Sequence, residues 1–124
     1  MPQPTKLVAI VDDEESVRRA LSRLVGIAGF EVESHASSVE FLQSLAHRLP
    51  DCVVLDLRMP HVKGFDVQEA LKTSAPNLPV VILTADDSER SRARALAAGA
   101  RFYLCKPVDA ATLVDAITSA LGPP

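Results

Sequence analysis

Short apolar segments alternate five times along the chain with longer segments of helical period. The apolar segments lie at 7–11, 30–33, 52–55, 79–83 and 102–105. Three of them (7–11, 52–55 and 80–83) are apolar throughout, as is typical of parallel strands that are covered by helices on both faces. The segment at 30–33 alternates between apolar and polar residues, which predicts an edge strand.

The intervening segments carry apolar residues at the i, i+3, i+4, i+7 spacing of a helix, as in the stripe from Val17 to Ala28. Residues that start or stop helices bound these segments: a capping box at Ser37 and Glu40, an N-cap at Asp109, and stops at Gly29, Pro76 and Gly122. Five strand–helix units are therefore predicted.

The fourth predicted helix, at about 88–98, differs from the others because Leu96 is its only large apolar residue. It also carries three arginines, Arg90, Arg92 and Arg94. A helix that buries so little is a candidate for motion. A static helix with a solvated charged face is an equally good interpretation of the same pattern.

Regular strand–helix alternation with right-handed crossovers predicts an α/β fold, an open doubly wound parallel sheet. The 124 residues suit a single domain, predicted to span 1–124. In such sheets ligands bind beyond the carboxyl ends of the strands. That edge is therefore where the chemistry is expected.

Composition narrows the function classes. A formal net charge of −3 argues against direct nucleic-acid binding. No apolar segment is long enough for a membrane span, and the N-terminus lacks the pattern of a signal peptide. Cys52 and Cys105 are isolated and each has an apolar neighbour, so they are predicted to be buried free thiols. A reducing, cytoplasmic location follows as the expectation.

Aspartate, threonine and lysine residues follow four of the predicted strands. They are Asp12 and Asp13 after the first strand, Asp56 after the third, Thr84 after the fourth and Lys106 after the fifth. If the sheet is parallel, all five meet at one edge. Each alone is weak evidence, because an aspartate after a strand is usually a cap or turn former. Five of them at the ends of four strands are much harder to explain in that way.

Three carboxylates at one edge require a counter-charge. Each pair at about 4 Å costs about 4 kcal/mol at an effective dielectric constant of 20. Lys106 supplies one positive charge, and a divalent cation would supply two more. Oxygen ligands without a neighbouring sulfur or imidazole ligand favour Mg²⁺; the histidine at position 61 is interpreted as a solvated loop residue.

An acid cluster with Mg²⁺, a lysine and a threonine suits phosphoryl transfer to a carboxylate. A carboxylate can act as the nucleophile and form an acyl phosphate. Catalysis then consists mainly of positioning and charge neutralisation. Mg²⁺ and Lys106 would neutralise the phosphoryl oxygens, and the Thr84 hydroxyl would donate to one of them.

Five motifs together resemble the response-regulator receiver domains of two-component signalling, over Val8 to about Leu121. The motifs are Val11-Asp12-Asp13-Glu14, the segment 53–60 with Gly64 four residues on, Ile82-Leu83-Thr84-Ala85, Ala98-Gly99-Ala100 and Tyr103-Leu104-Cys105-Lys106-Pro107. The resemblance implies a flavodoxin-like (βα)₅ fold with strand order 2-1-3-4-5. It is strongest to receivers that precede helix-turn-helix output domains.

The resemblance also implies a role for each site residue. Asp56 matches the phosphoacceptor. Asp13 matches the direct metal ligand, Asp12 a ligand that acts through water, and Arg58 a ligand through its backbone carbonyl. Thr84 and Lys106 match the residues that hold the phosphoryl oxygens, and Tyr103 the switch aromatic. The remaining two matches are a cis peptide at Lys106–Pro107 and Mg²⁺ as the cofactor, with Mn²⁺ as a substitute.

One residue departs from the family pattern, since Phe102 stands where many members have a polar residue before the switch aromatic. Phe102 and Tyr103 are predicted to face opposite sides of a strand, so that one of them enters the core. Gly64 is interpreted as a turn residue that needs positive φ, or as a permissive loop glycine. Static packing of Tyr103 is the alternative to its role as a switch.

The partners implied by the resemblance are a sensor histidine kinase in a phosphorelay, a C-terminal DNA-binding effector domain or output protein, and a phosphorylation-dependent homodimer. The expected output surface is the fourth helix, fifth strand and fifth helix. We expect the protein to be a phosphoacceptor and not an enzyme. Its catalysis would be limited to its own phosphorylation and, at most, a slow autodephosphorylation.

Two other functions compete with this one. A haloacid-dehalogenase-type phosphatase also uses an aspartate nucleophile and Mg²⁺, but it needs an Asp-x-Asp motif after the first strand, where this chain has Asp12 and Glu14. A receiver-like interaction module that is never phosphorylated usually lacks an acidic residue or the lysine, and none is missing here. A nucleotide-binding flavodoxin-like protein fits less well, because no Gly-rich loop follows the first strand.

Overall fold

The computed structural model of the protein describes residues 5–122. Five parallel strands form one sheet in the order β2-β1-β3-β4-β5, and a helix follows each strand. The strands are β1 (Leu7–Val11), β2 (Glu31–His35), β3 (Cys52–Leu55), β4 (Val80–Thr84) and β5 (Phe102–Cys105). The helices are α1 (Glu15–Ile27), α2 (Ser38–Ser44), α3 (Gly64–Ser74), α4 (Glu89–Ala97) and α5 (Ala110–Leu121). The predicted doubly wound, flavodoxin-like fold is confirmed.

Two apolar layers cover the sheet, one on each face. One layer joins alternate strand residues to Leu21 and Val25 of α1 and to Leu113 and Ile117 of α5. The other joins the remaining strand residues to α2, α3 and α4. Every residue of β1, β3 and β4 is buried. That burial on both faces is the reason these strands have no alternating pattern.

The edge strands differ from the central three. Residues of β2 are exposed or half-buried, as the alternating pattern at 30–33 predicted. Along β5, Tyr103 is buried in one apolar layer, whereas Phe102 is half-buried in the other. Cys105 ends this edge strand and is exposed, so the prediction that it is buried is wrong, whereas Cys52 is buried as predicted. Both thiols are free.

Helix starts and stops agree with the capping signals. The Ser37 side chain accepts a hydrogen bond from the Glu40 N–H at 3.1 Å, and Asp109 accepts one from Thr112 at 2.7 Å. Gly122 follows α5 with a positive φ of 76°. The two bonds to Ser37 and Asp109 each satisfy a backbone N–H group that a helix start leaves free. No helix in residues 5–122 has the length and apolar character to cross a membrane.

Helix α4 is attached to the domain by little apolar surface. Ala95 is its only buried residue within the described chain, and Leu96 is 40% exposed. This agrees with the thin apolar stripe in the sequence. Arg94 lies over the Phe65 ring of α3 at 3.9 Å, and Arg92 lies 5.9 Å from the centre of the Tyr103 ring. These contacts supplement the small buried area.

Candidate functional site

Two aspartates and a lysine meet at the carboxyl edge of the sheet. Asp12 follows β1 and Asp56 follows β3, and the two strands pair with Val11 opposite Leu55. The Lys106 ammonium, which follows β5, lies 2.7 Å from Asp12 Oδ2 and 3.0 Å from Asp56 Oδ2. Strand order thus brings together residues that are 94 and 50 positions apart in the chain.

Both carboxylates are buried but fully engaged. Asp12 is 1% exposed and Asp56 is 5% exposed. Asp12 Oδ1 accepts from the Glu14 N–H at 2.9 Å, and Asp56 Oδ1 accepts from the Arg58 N–H at 3.0 Å. Buried charges are tolerated only when they are paired and hydrogen-bonded in this way. The loop backbones therefore orient each carboxylate toward Lys106.

Lys106 is held in its charged form. Burial by itself would lower the pKa of this ammonium, but the hydrogen bonds and negative charges of Asp12 and Asp56 together raise it above its ordinary value. Its backbone N–H donates to the Thr84 carbonyl at 2.8 Å, and the peptide bond to Pro107 is cis. The lysine is thus fixed to β4 as well as to the two acids.

Asp13 completes a group of carboxylates that fits a hard divalent cation. One carboxylate oxygen each from Asp12, Asp13 and Asp56 lies within 4.8 Å of the other two, and Asp13 is exposed. All the donors are oxygens, which suits Mg²⁺ or Mn²⁺. The open side at Asp13 leaves room for the waters that Mg²⁺ keeps. Receiver domains bind Mg²⁺ through such acidic residues, and this set fits that ion.

Thr84 lies next to the charged group but is not bonded to it. The residue is fully buried at the end of β4, and its hydroxyl accepts from the Asp86 N–H at 3.4 Å. Among the described residues, no side-chain hydrogen bond joins Thr84 to Asp56 or Lys106. Its hydroxyl hydrogen is therefore free for a new acceptor.

Tyr103 is buried with its hydroxyl bonded inside the protein. The residue is 5% exposed, and the hydroxyl donates to the Asp86 backbone carbonyl at 2.6 Å. The Asp86 carboxylate in turn accepts from Ser91 Oγ at 2.6 Å and from the Ser88 N–H at 3.0 Å. These bonds lower the pKa of the Asp86 carboxyl group to about 2, and the bond from Ser91 has the largest effect. The loop after β4 is thus tied to both α4 and β5.

The phenol of Tyr103 is expected to ionise late. Burial, followed by the negative charges of Asp86 and Cys105, raises its pKa to about 12, compared with an ordinary value of about 10. The neutral buried phenol stabilises the fold below about pH 10, and this contribution is lost as the pH rises toward 12. Ultraviolet absorbance of the phenolate measures this directly, because the chain has one tyrosine and no tryptophan. A midpoint near 10 in the folded protein would contradict the buried position.

Gly64, the first residue of α3, is packed against the backbone of the site. A Cβ at this position would lie 2.7 Å from Leu57 Cα and 2.8 Å from the Asp56 carbonyl oxygen. Its φ is not positive, whereas that of His61 is 67°. Both earlier interpretations, a positive-φ turn and a permissive glycine, are therefore wrong. Glycine is required at this position because α3 approaches the loop after β3 too closely to leave room for a side chain.

Gly64→Ala is expected to lower the free energy of unfolding by about 2 kcal/mol, because the added methyl group forces the backbone at Asp56 to move. Gly26→Ala is the matched control. Gly26 lies in α1 with nothing within 4 Å of its added Cβ, so alanine there should stabilise the protein by about 0.5–1 kcal/mol. Urea unfolding of both variants checks the difference in sign, and equal effects would rule out the steric explanation.

Two residues that hold the site loop or α4 in position were not found from the sequence. Arg18 of α1 donates from Nη1 to the Asp12 carbonyl at 2.8 Å and so braces the loop after β1. Gln68 of α3 is 2% exposed and donates to the Ala95 carbonyl of α4 at 3.0 Å. For Gln68, the only signal in the sequence was a polar residue in an apolar helix face, between Val67 and Leu71. It does not reveal the partner.

Comparisons with known proteins agree on one family. A model of the response regulator receiver domain matches residues 8–118. The response regulator MprA of Mycobacterium sp. (strain KMS) is 41% identical over 100 residues, which cover 81% of this chain and 44% of the relative. MprA of Mycobacterium ulcerans (strain Agy99) is 40% identical over 100 residues, covering 81% of this chain and 43% of the relative. The chain thus spans less than half the length of these curated relatives.

Solved structures show the same likeness. The receiver domain from Clostridium thermocellum is 32% identical with a TM-score of 0.88, over 94% of each chain. A CheY-like receiver domain from Methanospirillum hungatei JF-1 is 25% identical with a TM-score of 0.90, over 95% of this chain and 94% of the other. The family match covers most of the chain and the fold agrees with it, so the chain belongs to the response regulator receiver domain family.

Proposed function

We propose that this receiver domain accepts a phosphoryl group on the Asp56 carboxylate in a reaction that requires Mg²⁺. The observation that carries the proposal is the position of Asp56, whose Oδ2 lies 3.0 Å from the Lys106 ammonium and whose carboxylate belongs to the three-acid group. Acceptance of a phosphoryl group is a general property of the family.

Asp56 is favoured over the other two acids by its place in the sheet. It follows β3, the central strand, between the loop that carries Asp12 and Asp13 and the loops that carry Thr84 and Lys106. A phosphoryl group on Asp56 would therefore have acidic metal ligands on one side and donors on the other. Asp12 holds the lysine at 2.7 Å, and Asp13 is exposed.

The chemistry is a displacement at phosphorus. An oxygen of the Asp56 carboxylate attacks the phosphorus of a phosphohistidine, the O–P bond forms, and the N–P bond to the donor imidazole breaks. Asp12, Asp13, Asp56 and the Arg58 carbonyl would hold Mg²⁺, which supplies positive charge next to the phosphoryl oxygens. Lys106 binds one of these oxygens and the Thr84 hydroxyl donates to another. The domain is then a phosphoacceptor with at most slow autodephosphorylation.

Output would follow from the movement of Thr84. A charge-assisted hydrogen bond from its hydroxyl to the phosphoryl group is worth about 1.5–3 kcal/mol, which would draw the loop after β4 inward. Tyr103 and α4 are tied to this loop, so the surface of α4, β5 and α5 would change. We propose that this surface acts on a DNA-binding effector domain or an output protein, and that it promotes a homodimer. A sensor histidine kinase would be the phosphoryl donor.

The direct experiment is intact mass spectrometry after incubation with acetyl phosphate. One added phosphoryl group is expected with Mg²⁺ and none with an excess of EDTA. Calorimetric titration should show that Asp12→Ala weakens Mg²⁺ binding about tenfold, the usual effect of a residue acting through water. Asp13→Ala should weaken it more, since Asp13 would touch the ion directly.

Two results would contradict these assignments. Equal losses of Mg²⁺ affinity in the Asp12 and Asp13 variants would mean that their roles are shared or reversed. A protein that binds Mg²⁺ but gains no phosphoryl group from acetyl phosphate or a histidine kinase would be a receiver-like interaction module.

A further inference from the structure

The two ends of α4 are held in different ways. At the N-terminal end, residues 89–94 are exposed or half-buried. They are attached through polar contacts, chiefly the Asp86–Ser91 hydrogen bond at 2.6 Å and the position of Arg92 over the Tyr103 ring. Asp86 belongs to the loop after β4, and the Tyr103 hydroxyl of β5 is bonded to the same loop, which is the segment expected to move with Thr84.

The C-terminal end of α4 is fixed to the core. Ala95 is fully buried, and its carbonyl accepts from the Ala100 N–H at 3.0 Å and from Gln68 Nε2 at 3.0 Å. Ala100 is buried as well, and the next residue, Arg101, donates its backbone N–H to the Val80 carbonyl of β4 at 2.8 Å. Two hydrogen bonds therefore join this end to α3 and to the sheet, and a third closes the turn after α4.

Gln68 is unusual among these connections because it is a buried amide in an apolar helix face. It is 2% exposed, and its Oε1 has no hydrogen-bond partner within residues 5–122. The amide orientation is unambiguous, since only the NH₂ group can donate to the Ala95 carbonyl. A leucine would fill a similar volume without leaving an unpaired buried oxygen. The bond to α4 is the interaction that glutamine provides and leucine does not.

We propose that Gln68 is a positioning residue that anchors the C-terminal end of α4 and makes Ala95 the pivot about which the helix moves when the domain is phosphorylated. The distance from Ala95 to Glu89 is about 9 Å at 1.5 Å per residue. A tilt of about 10° moves Glu89 by about 1.6 Å, a displacement typical of helix shifts in switching proteins. The inference rests on the proposed function, because the phosphoryl group supplies the movement.

Hydrogen exchange on the unmodified sequence tests the pivot without any substitution. Addition of beryllofluoride and Mg²⁺, a phosphoryl mimic, should change exchange at residues 86–92. The amides of residues 95–100 should stay within about twofold of their original rates, because the anchored end does not open. Changes at 95–100 as large as those at 86–92 would overturn the pivot.

Gln68→Leu tests the anchor in the absence of the mimic. Without the donated hydrogen bond, exchange at residues 95–100 should become about fivefold faster, while that of β1 and β3 stays unchanged. Ile117→Val is the control: it shortens a buried side chain of α5 on the opposite face of the sheet. If Gln68→Leu and Ile117→Val accelerate exchange with the same pattern, Gln68 is a general packing residue and the proposal is wrong.

Failure of the pivot differs from failure of the proposed function. If Asp56 is labelled by acetyl phosphate and the mimic changes 86–92 and 95–100 equally, the pivot alone is contradicted. If Asp56 is not labelled and the mimic changes no amide, the phosphoacceptor function fails and the pivot fails with it.

Discussion

Asp56→Asn is expected to abolish phosphorylation by acetyl phosphate while leaving the fold intact. An amide is not a competent nucleophile for acyl phosphate formation, so the reaction loses its acceptor. Asparagine keeps the shape of the side chain and an oxygen that can accept from the Arg58 N–H, as Asp56 Oδ1 does at 3.0 Å. Lys106 keeps its bond to Asp12.

The measurement is the intact mass before and after incubation with acetyl phosphate and Mg²⁺. Asp109→Asn is the matched control, because Asp109 caps α5, is not one of the three grouped acids, and asparagine caps equally well. It should gain one phosphoryl group, as the unmodified chain does. Labelling that persists in Asp56→Asn would assign the reaction to another residue.

Lys106→Met is expected to lower the free energy of unfolding by about 3 kcal/mol at neutral pH in the absence of divalent cations, the loss seen when one partner of a buried ion pair is removed. Asp12 and Asp56 would face each other with side chains 2% and 6% exposed and no cation between them. Lys106→Arg keeps the charge and should lose less. Urea unfolding of the three proteins measures these differences.

Mg²⁺ and pH provide two further checks on Lys106. Mg²⁺ binding to the folded state should stabilise Lys106→Met more than the unmodified protein, since the ion replaces the missing charge. The pKa of Lys106 is raised in the folded state, so its contribution is complete below about pH 10.4 and is lost as the pH rises through the higher folded value. The difference between the two proteins should therefore shrink in strongly alkaline solution. A constant difference would argue against an electrostatic cause.

The fold could be predicted because the pattern of apolar and polar residues along the chain shows which positions are buried. The central strands β1, β3 and β4 are apolar at every position except Thr84, the last residue of β4, because helices cover both faces. Capping residues such as Ser37 and Asp109 act within one turn of the chain, so their partners are visible in the sequence. Boundaries shifted by one or two residues, as at β2 and β4, because helix and strand ends depend on local hydrogen bonds.

The members of the candidate site could be predicted because the topology of a parallel sheet places them at one edge. Parallel strands place the residues that follow them at one edge, so Asp12, Asp13, Asp56, Thr84 and Lys106 were expected to be neighbours. The structure brings three of them, Asp12, Asp56 and Lys106, into direct contact, and groups Asp13 with the two acids. The sequence did not indicate that Thr84 is bonded to Asp86 and not to the charged group.

Only the tertiary structure decided the features that depend on packing between elements distant in the chain. Cys105, like Cys52, has one apolar and one charged neighbour in the sequence but is exposed, because β5 is an edge strand and β3 is central. Gly64 is required by the approach of α3 to the backbone at Asp56, a distance that no local pattern encodes. Gln68 and Ala95 are separated by 27 residues, and their bond depends on how α3 and α4 pack on the sheet. Side-chain type and period determine which face is buried, whereas the partner of a buried polar group is determined by three-dimensional packing.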